Sequence, residues 1–371
     1  MEKYNGDFKD ELYDGTGTLI LHDGSKYVGE FKEGKKNGIG ILSGSWGKYV
    51  GEFDNDNFNG IGTLIFYGQA KYSGEFKNGL YHGIGTIIRN NQKYIGEFEN
   101  DRQNGFGILT YDYLGEKYVG EFKDGKKNGK GTLSLYMKEI YVGEFKNDEH
   151  HGYGKSTSAD ETIYEGEFDD GQYHGKGKLT SIDGKIIYEG EFDGGNYQGK
   201  GKLTLSDGTI YEGEFYNHRF SGYGTLTFLD NTKYVGNFIE NEVAGEGTIT
   251  LSDGTAFEGF FGSDSEDIYG SHQYRPSTFS NGTAFLIEIM TNYCGVGSLT
   301  LPNGINFTGN FKNGKIDGNA TQAYPDGSKY FGEFKEGIKN GTGILIGVEG
   351  NKKYQQFKDN ILLHEKIFRS P

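Results

Sequence analysis

A glutamate recurs at one position of a repeated five-residue phrase, and carboxylates in rows are candidates for acid–base chemistry. The repeats that carry it have Glu30, Glu52, Glu75, Glu97, Glu121, Glu144, Glu167, Glu191, Glu214 and Glu333. The carboxylate pairs of glycosidases lie about 5 to 9.5 Å apart across a cleft, whereas a residue that returns once per repeat holds a structural position. We therefore expect these carboxylates to accept hydrogen bonds from turns or neighbouring strands, and we predict no catalytic site.

Three histidines occupy a second repeated position. His82, His151 and His174 each precede the first glycine of a Gly-x-Gly segment, where other repeats have Asn37 or Asn59. Equivalent positions in adjacent repeats would lie about 10 Å apart, whereas the ligands of one zinc ion lie near 2 Å from it. The column therefore indicates a polar position beside a turn, and we expect no metal ion and no other cofactor.

Cys294 is the only cysteine, which excludes an intrachain disulfide and a zinc cluster made of thiolates. No oxyanion arrangement accompanies it, and we expect a small apolar residue in a strand. The Gly-x-Gly segments imitate a dinucleotide fingerprint, but that fingerprint needs a helix directly after it, and here one hairpin follows another. The sequence therefore predicts a protein that is not an enzyme.

The elements that position these residues can be read from the repeated phrase itself. Lys26 begins KYVGEFKEGKKNGIGIL and Lys329 begins KYFGEFKEGIKNGTGIL. The leading aromatic recurs at Tyr4, Tyr27, Tyr49, Tyr72, Tyr94, Tyr118, Tyr141, Tyr164, Tyr188, Tyr211, Tyr234, Phe257, Phe285, Phe307, Tyr330 and Tyr354. Tyr-x-Gly-Glu-Phe and Gly-x-Gly-x-Leu both alternate with period two, which is typical of strands.

Turn residues separate these alternating segments. Asn78-Gly79 and Asp124-Gly125 lie between the two halves of a repeat, and Asp23-Gly24 follows a second half. Asn-Gly and Asp-Gly are the strongest short hairpin signals. We predict an all-β fold, an elongated single-layer antiparallel β-meander of about sixteen stacked β-hairpins that forms a twisted and curved rod. Aromatic rings are expected to lie flat over glycines of the neighbouring strand.

Composition and charge agree with ordered β structure in an acidic protein. The 371 residues include 64 Gly, 28 Tyr and 27 Phe, and the net charge is −15. Residues 160–260 carry 19 Asp and Glu against 7 Lys and Arg, a balance that repels nucleic acids and anionic lipid surfaces. The first residues show no signal-peptide run, and no segment approaches the roughly 18 apolar residues of a membrane span. We expect a soluble, cytoplasmic protein.

The phrase Tyr-x-Gly-Glu-Phe followed by Gly-x-Gly-x-Leu resembles the MORN (membrane occupation and recognition nexus) repeat. The resemblance covers the chain from Tyr4 to about Phe357. It implies a curved, single-layered β-meander with an aromatic-lined groove. It also implies a role in gripping a partner helix, binding lipid or dimerising end to end. The chain is most similar to stand-alone MORN scaffolds, including those of cilia and the cortical cytoskeleton.

The pattern predicts four regions. Residues 1–261 hold regular repeats 1–11 and the start of repeat 12, and residues 262–284 form an irregular insertion that bends the rod. Residues 285–357 hold degenerate and C-terminal repeats, the first of which begins at Phe285, and residues 358–371 form a cap or tail. The insertion is either a surface loop or a partner contact through Tyr269, Tyr274 and Arg275.

The tail is apolar and lies where a terminal hairpin leaves an edge that needs covering. It caps that edge as a short helix or strand, or it pairs with a second molecule and forms a homodimer. The residues for such an end-to-end contact are Ile361, Leu362, Leu363, Ile367 and Phe368.

The aromatic face is the remaining candidate for binding, because a single sheet cannot bury both faces by itself. Self-packing of the rings covers most of it, and a groove rimmed by Glu and Lys suits an amphipathic helix or an extended peptide. The predicted partner-binding aromatics are Tyr27, Phe31, Tyr49, Phe53, Tyr72, Phe76, Tyr94, Phe98, Tyr118, Phe122, Tyr141, Phe145, Tyr164, Phe168, Tyr188, Phe192, Tyr211 and Phe215.

Two functions follow from these observations. The first is a non-enzymatic scaffold that binds partner proteins in a ciliary, axonemal or cortical cytoskeletal assembly. The alternative is a phosphoinositide-binding membrane tether, for which positive charge is offered by Lys32, Lys35 and Lys36 and by Lys123, Lys126 and Lys127. Polybasic lipid recognition takes about 4 to 8 Lys or Arg together, whereas each of these clusters holds three and is interleaved with acids. The scaffold is the favoured hypothesis.

Overall fold

The computed structural model describes residues 2–68, 70–112, 115–261 and 282–368, with side chains except at 137, 282–285 and 368. The chain divides into two compact units, Met1–Tyr173 and His174–Pro371. In both units strand follows strand, and each strand pairs antiparallel with the next one in the chain. The predicted β-meander of hairpins is confirmed.

The first unit holds fifteen strands and one short 3-10 helix at Tyr136–Lys138. The strands are β1 (Lys3–Lys9), β2 (Leu12–Ile20), β3 (Lys26–Lys32), β4 (Lys35–Gly44), β5 (Gly47–Asp54), β6 (Asn57–Phe66), β7 (Ala70–Lys77), β8 (Leu80–Arg89), β9 (Gln92–Glu99), β10 (Arg102–Tyr111), β11 (Glu116–Lys123), β12 (Lys126–Ser134), β13 (Ile140–Lys146), β14 (Glu149–Thr157) and β15 (Ile163–Asp169).

The second unit holds a further fifteen strands and one α-helix, α1 (Gly282–Asn292), which lies between β23 and β24. The strands are β16 (Gln172–Thr180), β17 (Ile187–Asp193), β18 (Asn196–Thr204), β19 (Ile210–Tyr216), β20 (Arg219–Thr227), β21 (Lys233–Ile239), β22 (Glu242–Thr250), β23 (Ala256–Phe261), β24 (Gly295–Thr300), β25 (Asn306–Lys312), β26 (Lys315–Ala323), β27 (Lys329–Lys335), β28 (Ile338–Ile346), β29 (Lys352–Lys358) and β30 (Ile361–Phe368).

The turns inside the hairpins have the geometry that their residues predict. At the end of β7, Asn78 has φ 52° and Gly79 has φ 84°. Two successive positive φ values define the type I′ turn, whose twist matches that of the strands it joins. The turns between hairpins differ, and at Asp23 the carboxylate accepts hydrogen bonds from the amide and the hydroxyl of Ser25, both at 2.9 Å. These bonds lower the pKa of Asp23.

Each regular repeat buries its aromatics by packing them on one another and on glycine. Tyr49 stands on β5, where its ring covers the facing pair Gly51 and Gly62, and a Cβ on either glycine would collide with the ring. The ring of Phe53 meets the ring of Tyr49 edge-on, with centroids 5.1 Å apart. The expected placement of rings over glycine is confirmed, and it produces a core within a single sheet layer.

One predicted repeat is absent. Phe285 was expected to lead a strand, but residues 282–292 form α1, so the FLIEI segment is helical. Inside α1 the side chains of Leu286 and Ile289 are buried. Strand pairing resumes at Gly295, where β24 pairs with β23 and thereby completes repeat 12. The leading aromatics that lie in strands are therefore fifteen, in the odd-numbered strands β1 to β29.

The C-terminal tail is a strand. Residues 361–368 form β30, which pairs with β29 from Lys352 opposite Phe368 to Lys358 opposite Ile361. The tail thus supplies the second strand of the last hairpin and covers the edge of β29. This corresponds to the alternative in which the tail forms a capping strand. The bend predicted at 262–284 stays a prediction, because most of that segment lies outside the described residues.

Candidate functional site

The predicted partner-binding aromatics lie in the interior of the repeats. Tyr49, Tyr72 and Tyr188 are 0 % exposed, and Phe31 and Phe98, at 4 %, are typical of the phenylalanine positions. Because packing within the sheet covers them, these rings leave little surface for a partner. Contact by them stays a prediction, and the accessible surface of the aromatic face must come from other residues.

The hydroxyl groups of the leading tyrosines are also satisfied within the sheet. Tyr49 Oη donates a 2.8 Å hydrogen bond to the carbonyl of Glu52, three residues ahead. Burial, together with the charge of Glu52, raises the pKa of Tyr49 above its usual value, and burial likewise raises the pKa of Tyr141 to about 12. Both groups therefore stay neutral at physiological pH and serve as structural donors.

At several repeats the recurring glutamate holds a bulge in its hairpin. The carboxylate of Glu52 accepts a 2.9 Å hydrogen bond from the amide of Ile61, beside Gly60, whose φ is 64°. The carboxylate of Glu97 accepts a 2.8 Å bond from the amide of Phe106 in the same way. A Cβ on Gly60 would collide with the carboxylate, so the glycine and the glutamate require each other. The expected structural role of the glutamates is confirmed at these repeats.

The surface over the buried tyrosines is formed at a position that the sequence interpretation did not single out. We call it the stacking position, the residue two before the first glycine of Gly-x-Gly. It holds Tyr13, Lys36, Phe58, Tyr81, Gln103, Lys127, His150, Tyr173, Tyr197, Phe220, Val243, Tyr293, Ile316 and Lys339. Phe58 stacks on Tyr49 with centroids 3.8 Å apart and planes 14° apart. Most of these residues are half-buried, so the outer side of each faces solvent.

The stacking position varies in chemistry from repeat to repeat. His150 stacks on Tyr141 at 3.7 Å, and burial lowers the pKa of His150 to about 4. Lys36 places its ammonium 5.9 Å from the centre of the Tyr27 ring. This variation is the sequence signal that could have identified the stacking position. Aromatic, cationic, amide and aliphatic residues occur there, whereas the neighbouring positions of the repeat hardly change.

A depression opens in the first unit where the stacking residue is not a ring. It measures about 240 Å³, and it lies beside Gln103. Ile87 and Leu109 give it apolar surface, and Arg89, Arg102 and Asp101 supply charged groups. Arg102 is held by Asp124, with Nη1 3.1 Å from Oδ1. The depression therefore offers apolar side chains together with guanidinium groups, which suits an apolar side chain next to a carboxylate.

The last regular repeat of the second unit encloses a lysine amine. Lys339 Nζ lies 3.9 Å from the centre of the Tyr330 ring and 5.1 Å from that of Phe357. It also donates a 2.8 Å hydrogen bond to Tyr324 Oη. Burial lowers the pKa of Lys339 to about 8. The Tyr330 hydroxyl is buried and has no hydrogen-bond partner among the described residues.

The histidine column and the lone cysteine lie in structural surroundings. His151 Nδ1 lies 3.2 Å from Asp169, and the His82 carbonyl accepts a 3.3 Å bond from Tyr72. Cys294 was expected to lie within a strand, but it is exposed between α1 and β24. Across the described ranges, His, Cys, Asp and Glu nowhere gather in a group of three that would hold a metal ion.

Two further sets of predicted contacts remain, one in the 262–284 insertion and one on β30. Tyr269, Tyr274 and Arg275 lie outside the described residues. On β30, Ile361 is 66 % and Leu363 is 59 % exposed, so an apolar edge remains available there. The residues at the same end are Leu362, Ile367 and Phe368, the last of which has no described side chain.

The first basic cluster considered for lipid binding is partly neutralised. Lys36 Nζ lies 3.2 Å from the Asp56 carboxylate, and Lys35 donates to the Asn55 side chain at 3.3 Å. Among the described helices, none has the length and apolar content to cross a membrane.

The comparison with family models finds one description, MORN repeat, in twelve segments of the chain. The matched residues are 4–26, 27–48, 49–69, 72–92, 94–112, 118–136, 141–163, 164–186, 188–210, 211–233, 307–329 and 330–352. The matches leave out residues 234–306, where strands β21 to β24 nevertheless keep the hairpin register. No curated protein sequence matches the chain.

Two solved structures are among those that match the chain. One is the SAS-4 (dCPAP) TCP domain of Drosophila melanogaster in complex with a proline-rich motif of Ana2 (dSTIL), at 13 % identity and a TM-score of 0.24, covering 55 % of this chain and 90 % of that one. The other is the TCP10 domain of Danio rerio CPAP in complex with a STIL peptide, at 10 % identity and a TM-score of 0.28, covering 70 % and 93 %. At these scores neither supports an argument about partners.

Proposed function

Because the chain belongs to the MORN-repeat family, we propose that it is a non-enzymatic scaffold that binds partner proteins along its aromatic face. The observation that carries the proposal is that each repeat combines a buried, nearly constant framework with a more accessible, variable stacking position. Tyrosine, phenylalanine and glycine form a nearly constant buried framework, whereas the stacking positions, most of which are half-buried, hold tyrosine in five repeats, lysine in three, phenylalanine in two, and Gln, His, Val and Ile in one each. A constant frame with variable surface residues is how repeat proteins recognise extended partners.

The depression beside Gln103 is the proposed anchor of this surface. Its Ile87 and Leu109 side chains offer contact to an apolar side chain, and its two guanidinium groups donate hydrogen bonds to a carboxylate. We therefore propose a partner segment, helical or extended, that carries an acidic residue beside an apolar one. Phe58 and Tyr173 would provide stacking surface for further side chains of the same segment.

The test is a photo-crosslinking residue placed at Gln103, with the same residue at Lys130 as a matched control on the opposite face. A protein captured from the Gln103 position is then purified, and its affinity for the full chain is measured by calorimetry. Gln103→Tyr fills the depression with a ring that the stacking position accepts elsewhere, and it lowers the affinity at least tenfold. A captured protein that binds wild type and Gln103→Tyr equally would refute the proposal.

We propose further that the scaffold works in a ciliary, axonemal or cortical cytoskeletal assembly. Extraction of the tagged protein with non-ionic detergent tests this location. Retention in the insoluble pellet, reversed by salt, supports a protein-built assembly. Release with the solubilised membranes would instead favour the phosphoinositide tether, which the pairing of Lys36 with Asp56 does not favour.

A further inference from the structure

The face of the sheet opposite the buried rings carries a row of exposed apolar side chains in the first unit. They are the middle residues of Gly-x-Gly in four successive repeats, and we call them the outer stripe. Ile39 is 65 % exposed, Ile61 61 %, Ile84 58 % and Phe106 54 %. Consecutive members are separated by two strands, so the row spans about 29 Å. This surface plays no part in the proposed function.

A second row of aliphatic residues lies beside the outer stripe. Val28 faces Ile41 across β3 and β4, and Ile41 faces Val50 across β4 and β5. Val28 is 41 % exposed, and Ile41 and Val50 are each 37 % exposed. Thr63, Ser73 and Thr86 interrupt the row in the next three strands, and it resumes where Ile95 faces Ile108. Together the two rows form an apolar patch of a kind that soluble proteins seldom leave uncovered.

The carboxylates of the acidic residues that alternate with the outer stripe are held by hydrogen bonds to the sheet backbone. This reduces their electrostatic repulsion of an approaching molecule. Glu52 lies opposite Ile39, and its carboxylate is bound to the amide of Ile61 at 2.9 Å. Glu75 lies opposite Ile61, and its carboxylate is bound to the amide of Ile84 at 3.0 Å. The ionised groups are thereby drawn down onto the backbone of the sheet, and the aliphatic side chains form its outermost layer.

Later repeats show that the fold does not require apolar residues on this face. The outer-stripe position holds Lys130, Lys176 and Lys200 in repeats 6, 8 and 9. The adjacent row there consists of cross-strand ion pairs, such as Lys155 with Glu165 at 3.6 Å. The apolar character of repeats 2 to 5 is therefore a property of that surface, not a condition for forming hairpins.

The charge of the segment that carries the stripe differs from that of the chain. Residues 26–111 contain ten Lys and Arg against nine Asp and Glu, although the whole chain carries −15. Salt screens charges beyond about 8 Å at physiological ionic strength. The repulsion between two surfaces in contact therefore depends on the charges near the contact and not on the net charge of the chain. A second copy of this acidic protein therefore meets least repulsion at the outer stripe.

We propose that the outer stripe is a homodimer interface, in which the stripes of two copies of the chain pack face to face. Sheets pack this way at about 10 Å through apolar side chains. The second copy is the occupant that the geometry favours, because only a surface with the same repeat length keeps its side chains in register over four repeats. A two-fold axis at the centre of the stripe brings Ile61 of each copy beside Ile84 of the other.

The first test is the molar mass of the full chain by light scattering across a concentration series. The wild type is expected to reach twice 41.2 kDa as concentration rises. The combined variant Ile39→Lys, Ile61→Lys and Ile84→Lys copies a residue that the fold already accepts at this position, and it raises the dimer Kd by about 100-fold or more. A wild type that stays monomeric at every concentration would overturn the proposal.

The second test locates the contact. In a Cys294→Ser background, a 1:1 mixture of the single variants Ile61→Cys and Ile84→Cys is expected to be linked between copies by a short bismaleimide, which spans sheets packed about 10 Å apart, whereas a mixture of Lys176→Cys and Lys200→Cys is not. A Leu363→Lys variant on β30 leaves the dimer unchanged. A dimer that is lost in Leu363→Lys and kept in the triple lysine variant would place the contact at the C-terminal end and refute the outer stripe. A monomer that instead floats with neutral lipid vesicles through the stripe would also refute it.

Discussion

The ring of Tyr293 meets the ring of Phe257 edge-on, with centroids 4.8 Å apart and planes 71° apart, although residues 258–292 lie between them in the chain. Phe257 leads repeat 12 and has no hydroxyl to donate. Tyr293 supplies that group from the stacking position, donating a 2.6 Å hydrogen bond to the carbonyl of Val296 and accepting one from the Phe260 amide at 3.3 Å. The repeat thus keeps a tyrosine hydroxyl even though its leading aromatic has none.

Tyr293→Phe is expected to destabilise repeat 12 by about 1 kcal/mol, since the carbonyl of Val296 loses its buried donor. Hydrogen exchange measured at the amides of β23 and β24 reports the loss locally. Tyr136→Phe, at a tyrosine that is 68 % exposed, is the control and leaves the exchange unchanged. Equal exchange in Tyr293→Phe and wild type would show that the hydroxyl does not hold this repeat.

Gly62→Ala places a methyl group against the ring of Tyr49. The expected cost is about 1 to 3 kcal/mol, because neither the sheet backbone nor a fully buried ring can move aside freely. Chemical denaturation of the full chain and hydrogen exchange in β5 and β6 measure it. Lys48→Ala on β5, the strand that carries Tyr49, is the control, and a loss no larger than that of the control would contradict the ring-over-glycine packing.

Glu52→Ala removes the acceptor of the Ile61 amide and leaves the bulge at Gly60 without its carboxylate. The free energy for opening of that amide is expected to fall by about 1 to 2 kcal/mol. Glu52→Gln keeps an acceptor oxygen without the charge, so its effect is smaller. Hydrogen exchange at the Ile61 amide separates the two variants, and identical protection in all three proteins would mean that the bond contributes nothing.

His150→Phe is expected to make the first unit more resistant to acid. Burial lowers the pKa of His150 to about 4, below its usual 6.5. Between these values the unfolded chain binds a proton that the folded chain does not, so wild-type stability is present above pH 6.5 and falls as the pH drops towards 4. After allowance for partial solvent exposure, the difference reaches about 1 to 2 kcal/mol at pH 4.

Phenylalanine is a fair replacement for His150, because Phe58 and Phe220 occupy the same stacking position in other repeats. The measurement is the free energy of unfolding from pH 4 to 7, with His174→Gln as a control at a half-exposed histidine. Parallel curves for wild type and His150→Phe would show that this imidazole is not the source of acid sensitivity.

The sequence by itself determined the strands and turns of this protein and the roles of its glutamates. These features follow from local chemistry. A residue such as Tyr49 with its period-two neighbours specifies a strand, and Asn78-Gly79 specifies a hairpin turn. Each is decided within one hairpin, which the sequence repeats many times. The recurrence of Glu52 and its equivalents indicated hydrogen-bond acceptors, whereas the bulge at Gly60 that they hold came only from the structure.

Only the tertiary structure decided how repeat 12 is completed and which surface remains accessible. The FLIEI segment at Phe285 is short and apolar, and such a run fits a strand or a helix equally. Its helical state follows from packing of Leu286 and Ile289 in the second unit. The stacking of Phe58 on Tyr49 likewise depends on rotamer and twist, which alternation does not reveal. Burial of the aromatic face is the sum of many such contacts, and it leaves the stacking positions and the outer stripe as accessible surfaces.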